Sequence, residues 1–319
     1  MTDIASLLHR VARGRHGAGN LNRAEARQVF AALLLPQADP LQLGAFLIAQ
    51  RMKGESAAEL AGFVEAAREH MDGYGQGTAP QGAVDLPCYA GKRRAVPAHL
   101  VAAIQVRDAG IPVVIHGSGP IAGRISAWEV LQIADIRRAP GLAEGMSVLQ
   151  GEGIVYLDMT DICPALMQVL ALRPRLGVRS FANTVARLLN PLGCNGQLNG
   201  FFHTPYGRYM ADANILLQQP RSLIFMGAEG EPELYADRQR VMLLQQDNAL
   251  SEAGFDGAGT SSYPRQPADD LNALKARFIR LLQGEADGRE QAVLARMQQA
   301  FRFASTGLIP DDWRVKLVG

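Results

Sequence analysis

The sequence predicts an α/β protein: a helical N-terminal domain followed by an α/β domain with a mostly parallel central sheet. Three observations predict it. Apolar residues recur at helical spacing through the first 75 or so residues, a Gly-, Gln- and Pro-rich stretch follows at 72–82, and β-branched runs then alternate with amphipathic stretches to the C-terminus. A chain of 319 residues is long enough for one large or two moderate domains, each burying its own core.

The helical part divides into four. Ile4, Leu7, Leu8 and Val11 form one apolar stripe, and Ala26, Val29, Phe30 and Leu33 a second. Asn22 is placed to cap that second helix, with Glu25 at the reach-back position of a capping box. A third helix starts near Asp39 and Pro40 and carries Leu43, Phe46 and Leu47. A fourth starts at Ser56, where Glu59 completes another box, and carries Leu60, Phe63 and Ala67.

Beyond the linker the expected order is a strand at 84–86, a helix at 98–108, a buried strand at 111–115 and a helix at 126–134. Strands at 154–157 and 197–202, a helix at 206–218, and strands at 222–226 and 241–244 follow. Two amphipathic helices begin near Asp269 and Arg289. Residues 164–189 interrupt this order with two helical stretches that can return to the first domain. The expected division is therefore a helical domain of 1–75 joined by helices from about 163–195, and an α/β domain of 80–160 and 196–319.

Composition sets limits on function. Hydrophobic residues are 48% and charged residues 20% of the chain, and no apolar run reaches the roughly 18 residues that span a bilayer, so a soluble protein without a membrane partner is expected. The N-terminus lacks a secretory h-region, and the three scattered cysteines, Cys88, Cys163 and Cys194, fit neither a disulfide framework nor a CxxC metal site. The expected compartment is the cytoplasm. No two of the six histidines have metal-ligand spacing, so no metal site is expected and no catalytic residue is assigned.

The net charge is +1, but its distribution is uneven. From Ile162 to Ala211 there is no acid, while Arg173, Arg175, Arg179, Arg187 and Arg208 fall there; from Leu86 to Arg107 there is again none, beside Lys92, Arg93, Arg94 and Arg107. Acids gather elsewhere, as at Glu229, Glu231 and Glu233. Such segregation builds a positive field for anions. Arg10, Arg13, Arg15 and His16 form a smaller basic cluster, read as a solvated helix end. The Gly/Ser stretch 254–263 reads as a mobile loop, because no strong strand leads into it.

Two loops are placed to hold an anion at a helix N-terminus: Cys88-Tyr89-Ala90-Gly91-Lys92-Arg93-Arg94 after the first strand, and His116-Gly117-Ser118-Gly119 after the second. Their order, together with several other segments, resembles anthranilate phosphoribosyltransferase within the nucleoside phosphorylase/phosphoribosyltransferase (glycosyltransferase family 3) superfamily. The segments are Leu21 to Ala26, Gln42 to Ala49, Arg51 to Glu55, Val113 to Gly117 in place of a strand ending KHG, and Gly177 to Asn183 with Asn190-Pro191 in place of GxRTxFN and NP. The resemblance implies the two-domain fold described above.

It also implies substitutions. Where the enzymes carry a GTGGD loop this chain has Cys88, Tyr89, Ala90, Gly91 and Lys92; Ile115 replaces the KHGNR lysine, and Ser118-Gly119 stand for Asn-Arg. The enzymes' Mg²⁺-holding Asp-Glu pair falls on Pro232-Glu233. These departures resemble the YbiB-type branch, whose members are understood as nucleic-acid-binding dimers. That branch implies a non-enzymatic protein without cofactor, a homodimer through the helical domain, with a DNA or RNA backbone contacted by Lys92, Arg93, Arg94, Arg173, Arg175, Arg179, Arg187 and Arg208. The alternative is a phosphoribosyltransferase using Mg²⁺ and phosphoribosyl pyrophosphate, with anthranilate or a related aromatic or nucleobase acceptor.

Overall fold

The computed structural model describes residues 3–14, 16–238 and 242–318. Arg15 of the basic cluster and Val241 at the start of an expected strand lie outside the described residues.

Helices α1 (Ile4–Val11), α2 (Arg23–Leu33), α3 (Pro40–Lys53) and α4 (Ala57–Glu69) form an N-terminal bundle. Both capping boxes form, Asn22 with Glu25 and Ser56 with Glu59, and Asp39 caps α3 just before Pro40. Helices α2 and α4 cross so closely that a Cβ on Gly62 would stand 2.3 Å from the Arg23 carbonyl oxygen, which is why no larger residue fits there. Phe30, Phe46 and Phe63 fill the bundle core.

The remaining elements are β1 (Val84–Cys88), α5 (Ala98–Asp108), β2 (Val113–Gly117), α6 (Ala127–Leu131), β3 (Arg138–Ala139), α7 (Leu142–Glu152) and β4 (Ile154–Asp158). Then come α8 (Met159–Ile162), α9 (Pro164–Ala171), α10 (Arg173–Leu176), α11 (Ala182–Arg187), β5 (Gly196–Phe201), α12 (Pro205–Leu216) and β6 (Arg221–Met226). The chain ends with β7 (Met242–Gln246), β8 (Ala249–Gly254), α13 (Leu271–Leu282), α14 (Gly288–Thr306) and β9 (Arg314–Leu317).

These strands form one mixed sheet in the order β3-β4-β2-β1-β5-β6-β7-β8-β9. Pairing is parallel from β3 to β6 and antiparallel from β6 onward. The parallel centre is buried on both faces, as parallel sheets require, and the two-residue alternation of its side chains feeds two cores. Val114, Val155 and Leu157 join the core that continues into the helical bundle; Val113, Ile115, Ile154 and Tyr156 join the one covered by α5, α13 and α14.

The segment between β4 and β5 holds more helix than the two stretches the sequence indicates, because Gly177, in the left-handed region at φ 71°, ends a separate short α10. That segment docks on the bundle. The Phe181 ring stacks on Phe63 with centroids 4.2 Å apart, Arg68 donates to the Leu188 and Leu189 carbonyls, and Arg51 donates to the Arg179 carbonyl at 2.8 Å. The Gly/Ser stretch also differs from expectation, since β8 runs directly into it and Tyr263 within it is buried. Among the described residues no helix is long and apolar enough to cross a membrane.

Candidate active site

Strands β2, β1, β5 and β6 are neighbours in the sheet, so the loops leaving their carboxyl ends lie side by side, where ligands of parallel α/β domains bind. The loop after β6 turns sharply. Glu229 sits at φ 60°, a left-handed conformation that is costly outside glycine, and a Cβ on Gly227 would meet the Glu231 carbonyl oxygen at 1.8 Å. Pro232 restricts the residue before it to extended backbone, and Glu231 is extended. The turn thereby aims Glu229, Glu231 and Glu233 at the loop after β1.

The two loops are locked together. Glu231 Oε1 accepts from the Ala90 N–H at 2.8 Å and from the Gly91 N–H, and Glu229 accepts from the Arg93 and Arg94 N–H groups at 3.0 and 3.1 Å. Four backbone donors that the sequence offers to a phosphate are thus occupied by the protein's own carboxylates. Lys92, only 1% exposed, donates to Glu233 at 2.5 Å and to the Tyr263 oxygen at 2.7 Å; the Tyr263 hydroxyl in turn donates to Glu229 at 2.7 Å. Glu233 also meets His99 Nδ1 at 3.0 Å. Burial alone would raise the Glu233 pKa, but the Lys92 charge and the His99 hydrogen bond overcome it and hold the carboxyl at about 2.

A second buried chain crosses the ends of β1 and β2. Asp85 faces His116 Nε2 at 3.2 Å, and His116 Nδ1 meets the Tyr89 hydroxyl at 2.6 Å. With Nε2 donating to the carboxylate, Nδ1 is left as acceptor for the Tyr89 proton. Burial pushes the Tyr89 phenol well above its usual pKa, so the hydroxyl keeps that proton.

The third feature is open. A cleft of about 650 Å³ lies between α3, the α10–α11 segment and the ends of β5 and α12. Arg51, Arg173, Arg179 and Arg187 line it with Phe201, Phe202, Tyr206 and Met52, and no lining residue is acidic. Burial lowers the Arg179 pKa to about 10, and the charges of Arg173, Arg187, Arg124 and Arg51 push in the same direction. Arg187 is oriented by the Asn183 carbonyl at 2.6 Å. A concave, aromatic-walled site with excess positive charge suits a planar anion.

The basic residues named from sequence therefore part company. Arg173, Arg179 and Arg187 converge on the cleft, while Arg175 is exposed and does not line it. Lys92 is interior and Arg93 and Arg94 are half-buried beside Glu229. Arg208 pairs with Asp212 one turn along α12 at 3.0 Å. Ser118 and Gly119 stand in the loop after β2, and Pro232 is buried in the turn beside Glu231. Tyr263, Asp85 and His99 were not singled out as site residues in the sequence; the donor atoms of Cys88, His99 and Glu231 lie within 4.8 Å of one another.

Comparisons with known proteins give the geometry a context. Residues 5–71 match the helical bundle domain of the glycosyl transferase family. The chain is 30% identical over 287 residues to the YbiB protein of Escherichia coli K12, covering 85% of this chain and 86% of that one. It is 36% identical over 283 residues to the anthranilate phosphoribosyltransferase of Methylobacterium radiotolerans, covering 88% of this chain and 79% of that enzyme. Among solved structures, anthranilate phosphoribosyltransferase from Thermus thermophilus superposes with a TM-score of 0.78 at 20% identity, covering 97% of this chain and 90% of that one. The Saccharomyces cerevisiae enzyme, solved in complex with phosphoribosyl pyrophosphate and Mg, gives 0.74 at 14% identity, covering 96% and 90%. The helical bundle with a mostly parallel sheet is thus the fold of these enzymes. The expectations of a nucleic-acid partner, of a non-enzymatic protein and of no cofactor are overturned by the anthranilate phosphoribosyltransferases among these relatives, which are named for a small-molecule transfer and, in the yeast structure, hold Mg and phosphoribosyl pyrophosphate.

Proposed function

We propose a phosphoribosyl transfer for this chain, because it belongs to the TrpD/YbiB-like anthranilate phosphoribosyltransferase family within the glycosyltransferase 3 superfamily. The donor is phosphoribosyl pyrophosphate and the acceptor anthranilate or a closely related aromatic carboxylate. The observation that carries the reading is the acid-free cleft, in which four arginines face aromatic walls.

Arg179 pairs with the acceptor carboxylate, and binding an anion there relieves its repulsion from Arg173, Arg187 and Arg51, which leaves Arg173 and Arg187 to the donor. Phe202 and Tyr206 flank the ring, which leaves the acceptor nitrogen to attack the ribose anomeric carbon. The new N–C bond forms as the C–O bond to pyrophosphate breaks, and the nitrogen sheds one proton. The loop amides after β1 are engaged by Glu229 and Glu231, so the donor's phosphates are held by the cleft arginines. The hydrogen-bonded Asp85–His116–Tyr89 chain is the group able to relay that proton.

Among the described residues two buried carboxylate oxygens have no hydrogen-bond partner, Glu231 Oε2 and Asp85 Oδ1, and Asp85 faces His116, which leaves Glu231 to a divalent cation. Mg²⁺ characteristically takes one or two carboxylates and completes its shell from substrate phosphates and water, so Glu231 fits as its protein ligand. A bound Mg²⁺ would neutralise charge on the departing pyrophosphate. All three cysteines are free and buried, which supports a reducing compartment such as the cytoplasm.

The test is pyrophosphate release with phosphoribosyl pyrophosphate, Mg²⁺ and a panel of aromatic carboxylates. Acceptor-dependent release with anthranilate or a near analogue is expected; no release with any aromatic acceptor would overturn the reading.

A further inference from the structure

Cys88 closes β1, His99 lies in the first turn of α5, and Glu231 lies in the turn after β6; all three are buried. Their sulfur, ring nitrogen and carboxylate oxygen lie within 4.8 Å of one another. We propose that these three side chains bind a thiophilic divalent cation, Zn²⁺ by its chemistry, at the base of the loop after β1. A cation bound here takes the Glu231 oxygen otherwise offered to Mg²⁺, so the two compete for it; the inference rests on the proposed transfer for its place in catalysis, but not for binding itself.

His99 and Glu231 are prepared by their surroundings, while burial and the Glu231 and Asp85 carboxylates hold the Cys88 proton in place until a cation displaces it. Cys88 Sγ and His99 Nε2 are 3.7 Å apart. Zinc bonds of about 2.3 Å to sulfur and about 2.05 Å to nitrogen span about 3.6 Å at a tetrahedral centre, so this edge needs almost no adjustment. His99 Nδ1 meets Glu233 Oε2 at 3.0 Å, and Glu233 is ion-paired to Lys92. The proton therefore sits on Nδ1, and the Nε2 lone pair is directed toward Cys88. A carboxylate behind the histidine is the arrangement that orients metal-bound imidazoles elsewhere.

Glu231 is prepared in the same way. The Ala90 and Gly91 N–H groups fix its Oε1, leaving Oε2 buried and unpartnered. An oxygen so placed is expensive to desolvate unless something occupies it. Pro232, which removes a carboxylate from the expected pair, holds the Glu231 backbone extended and so helps to set this side chain.

The donor set also selects the metal. Sulfur and imidazole are poor ligands for Mg²⁺ and good ones for Zn²⁺. On binding, the Cys88 S–H bond breaks, a sulfur–metal bond forms and the proton leaves to solvent. The thiolate and the Glu231 carboxylate then balance the two positive charges. Three protein ligands leave a fourth position for water or substrate oxygen, the pattern of an open zinc centre.

The experiment uses full-length protein, stripped of metal under reducing conditions and titrated with Co²⁺. The expected result is a near-ultraviolet thiolate-to-cobalt charge-transfer band that saturates with a single Co²⁺ per chain, is displaced by Zn²⁺ and persists in millimolar Mg²⁺. Cys88→Ser should abolish the band with an unchanged far-ultraviolet spectrum. His99→Gln and Glu231→Gln should each weaken Co²⁺ affinity at least about tenfold, and they serve as the test where Cys88→Ser fails to fold. Absence of the band in the parent, or a band and affinity that survive these changes, would overturn the site. Because the signal needs no turnover, a band without phosphoribosyl transfer would sink the transfer reading alone, and transfer without a band would sink the zinc site alone.

Discussion

The loop after β1 and the cleft between α3 and α11 are both basic and both acid-free in the sequence, yet they fold into opposite electrostatic states. At the loop, Lys92 finds Glu233, 141 residues away, and the Arg93 and Arg94 amides find Glu229; the charges close on one another in the interior. At the cleft, Arg179 meets chiefly the charges of Arg173, Arg187, Arg124 and Arg51, and Arg187 donates to the Asn183 and Gly230 carbonyls, with space in front of them. A run of basic residues therefore says little until the partners brought from distant sequence are known. The Lys92–Glu233 pair serves the fold, and the open cluster is available to an anion.

This contrast can be broken at either end. The largest effect is expected at the closed end. Lys92→Met leaves Glu233 buried with only His99 beside it and should cost about 3–5 kcal/mol, read as a fall in the denaturation midpoint. If the midpoint is unchanged, the interior pair is not holding the loops together. At the open end, Arg179→Gln should leave Tm within a few degrees and lower kcat/KM for the acceptor on the order of 100-fold. A stability loss equal to that of Lys92→Met would mean that the two regions do not differ.

The closed cluster also has a pH signature. Glu233 is held at about 2 against an ordinary 4.5. Its folded value is depressed, so its contribution is fully present above about pH 4.5 and is lost as pH falls from there through about 2. Chemical denaturation across that window should show a falling stability that the double variant Lys92→Met, Glu233→Gln lacks. The smallest effect belongs to Arg208, whose exposed pair with Asp212 is typical of helix surfaces; Arg208→Ala should move Tm by less than about 2 °C and leave turnover unchanged.

Sequence pattern was a good guide wherever the signal was local. Asn22 with Glu25 and Ser56 with Glu59 cap the helices they were expected to cap, and the β-branched run ending at Ile115 is a buried parallel strand. Helix α7 escaped because Gly141, its N-cap residue, gives no side-chain cap and two glycines interrupt its pattern. Strand β9 escaped because all four of its residues are exposed, leaving no alternation to read. The site was harder, since its groups meet across long stretches of chain. Glu229, Glu231 and Glu233 read as acids segregated from the basic loops, yet the fold lays them directly on one of those loops. Tyr263 was hidden in a Gly/Ser stretch, and Cys88 and His99 have a spacing that matches no metal motif. The available signal was Pro232, which fixes its predecessor Glu231.

The most direct test of the open cleft is acceptor discrimination. The kcat/KM for anthranilate is measured against its neutral carboxamide in the parent protein and in Arg179→Gln. The parent should prefer the carboxylate by on the order of 100-fold, and the variant should lose most of that preference. Equal preference in the two proteins would show that the arginines do not read the acceptor's charge, and would contradict the account.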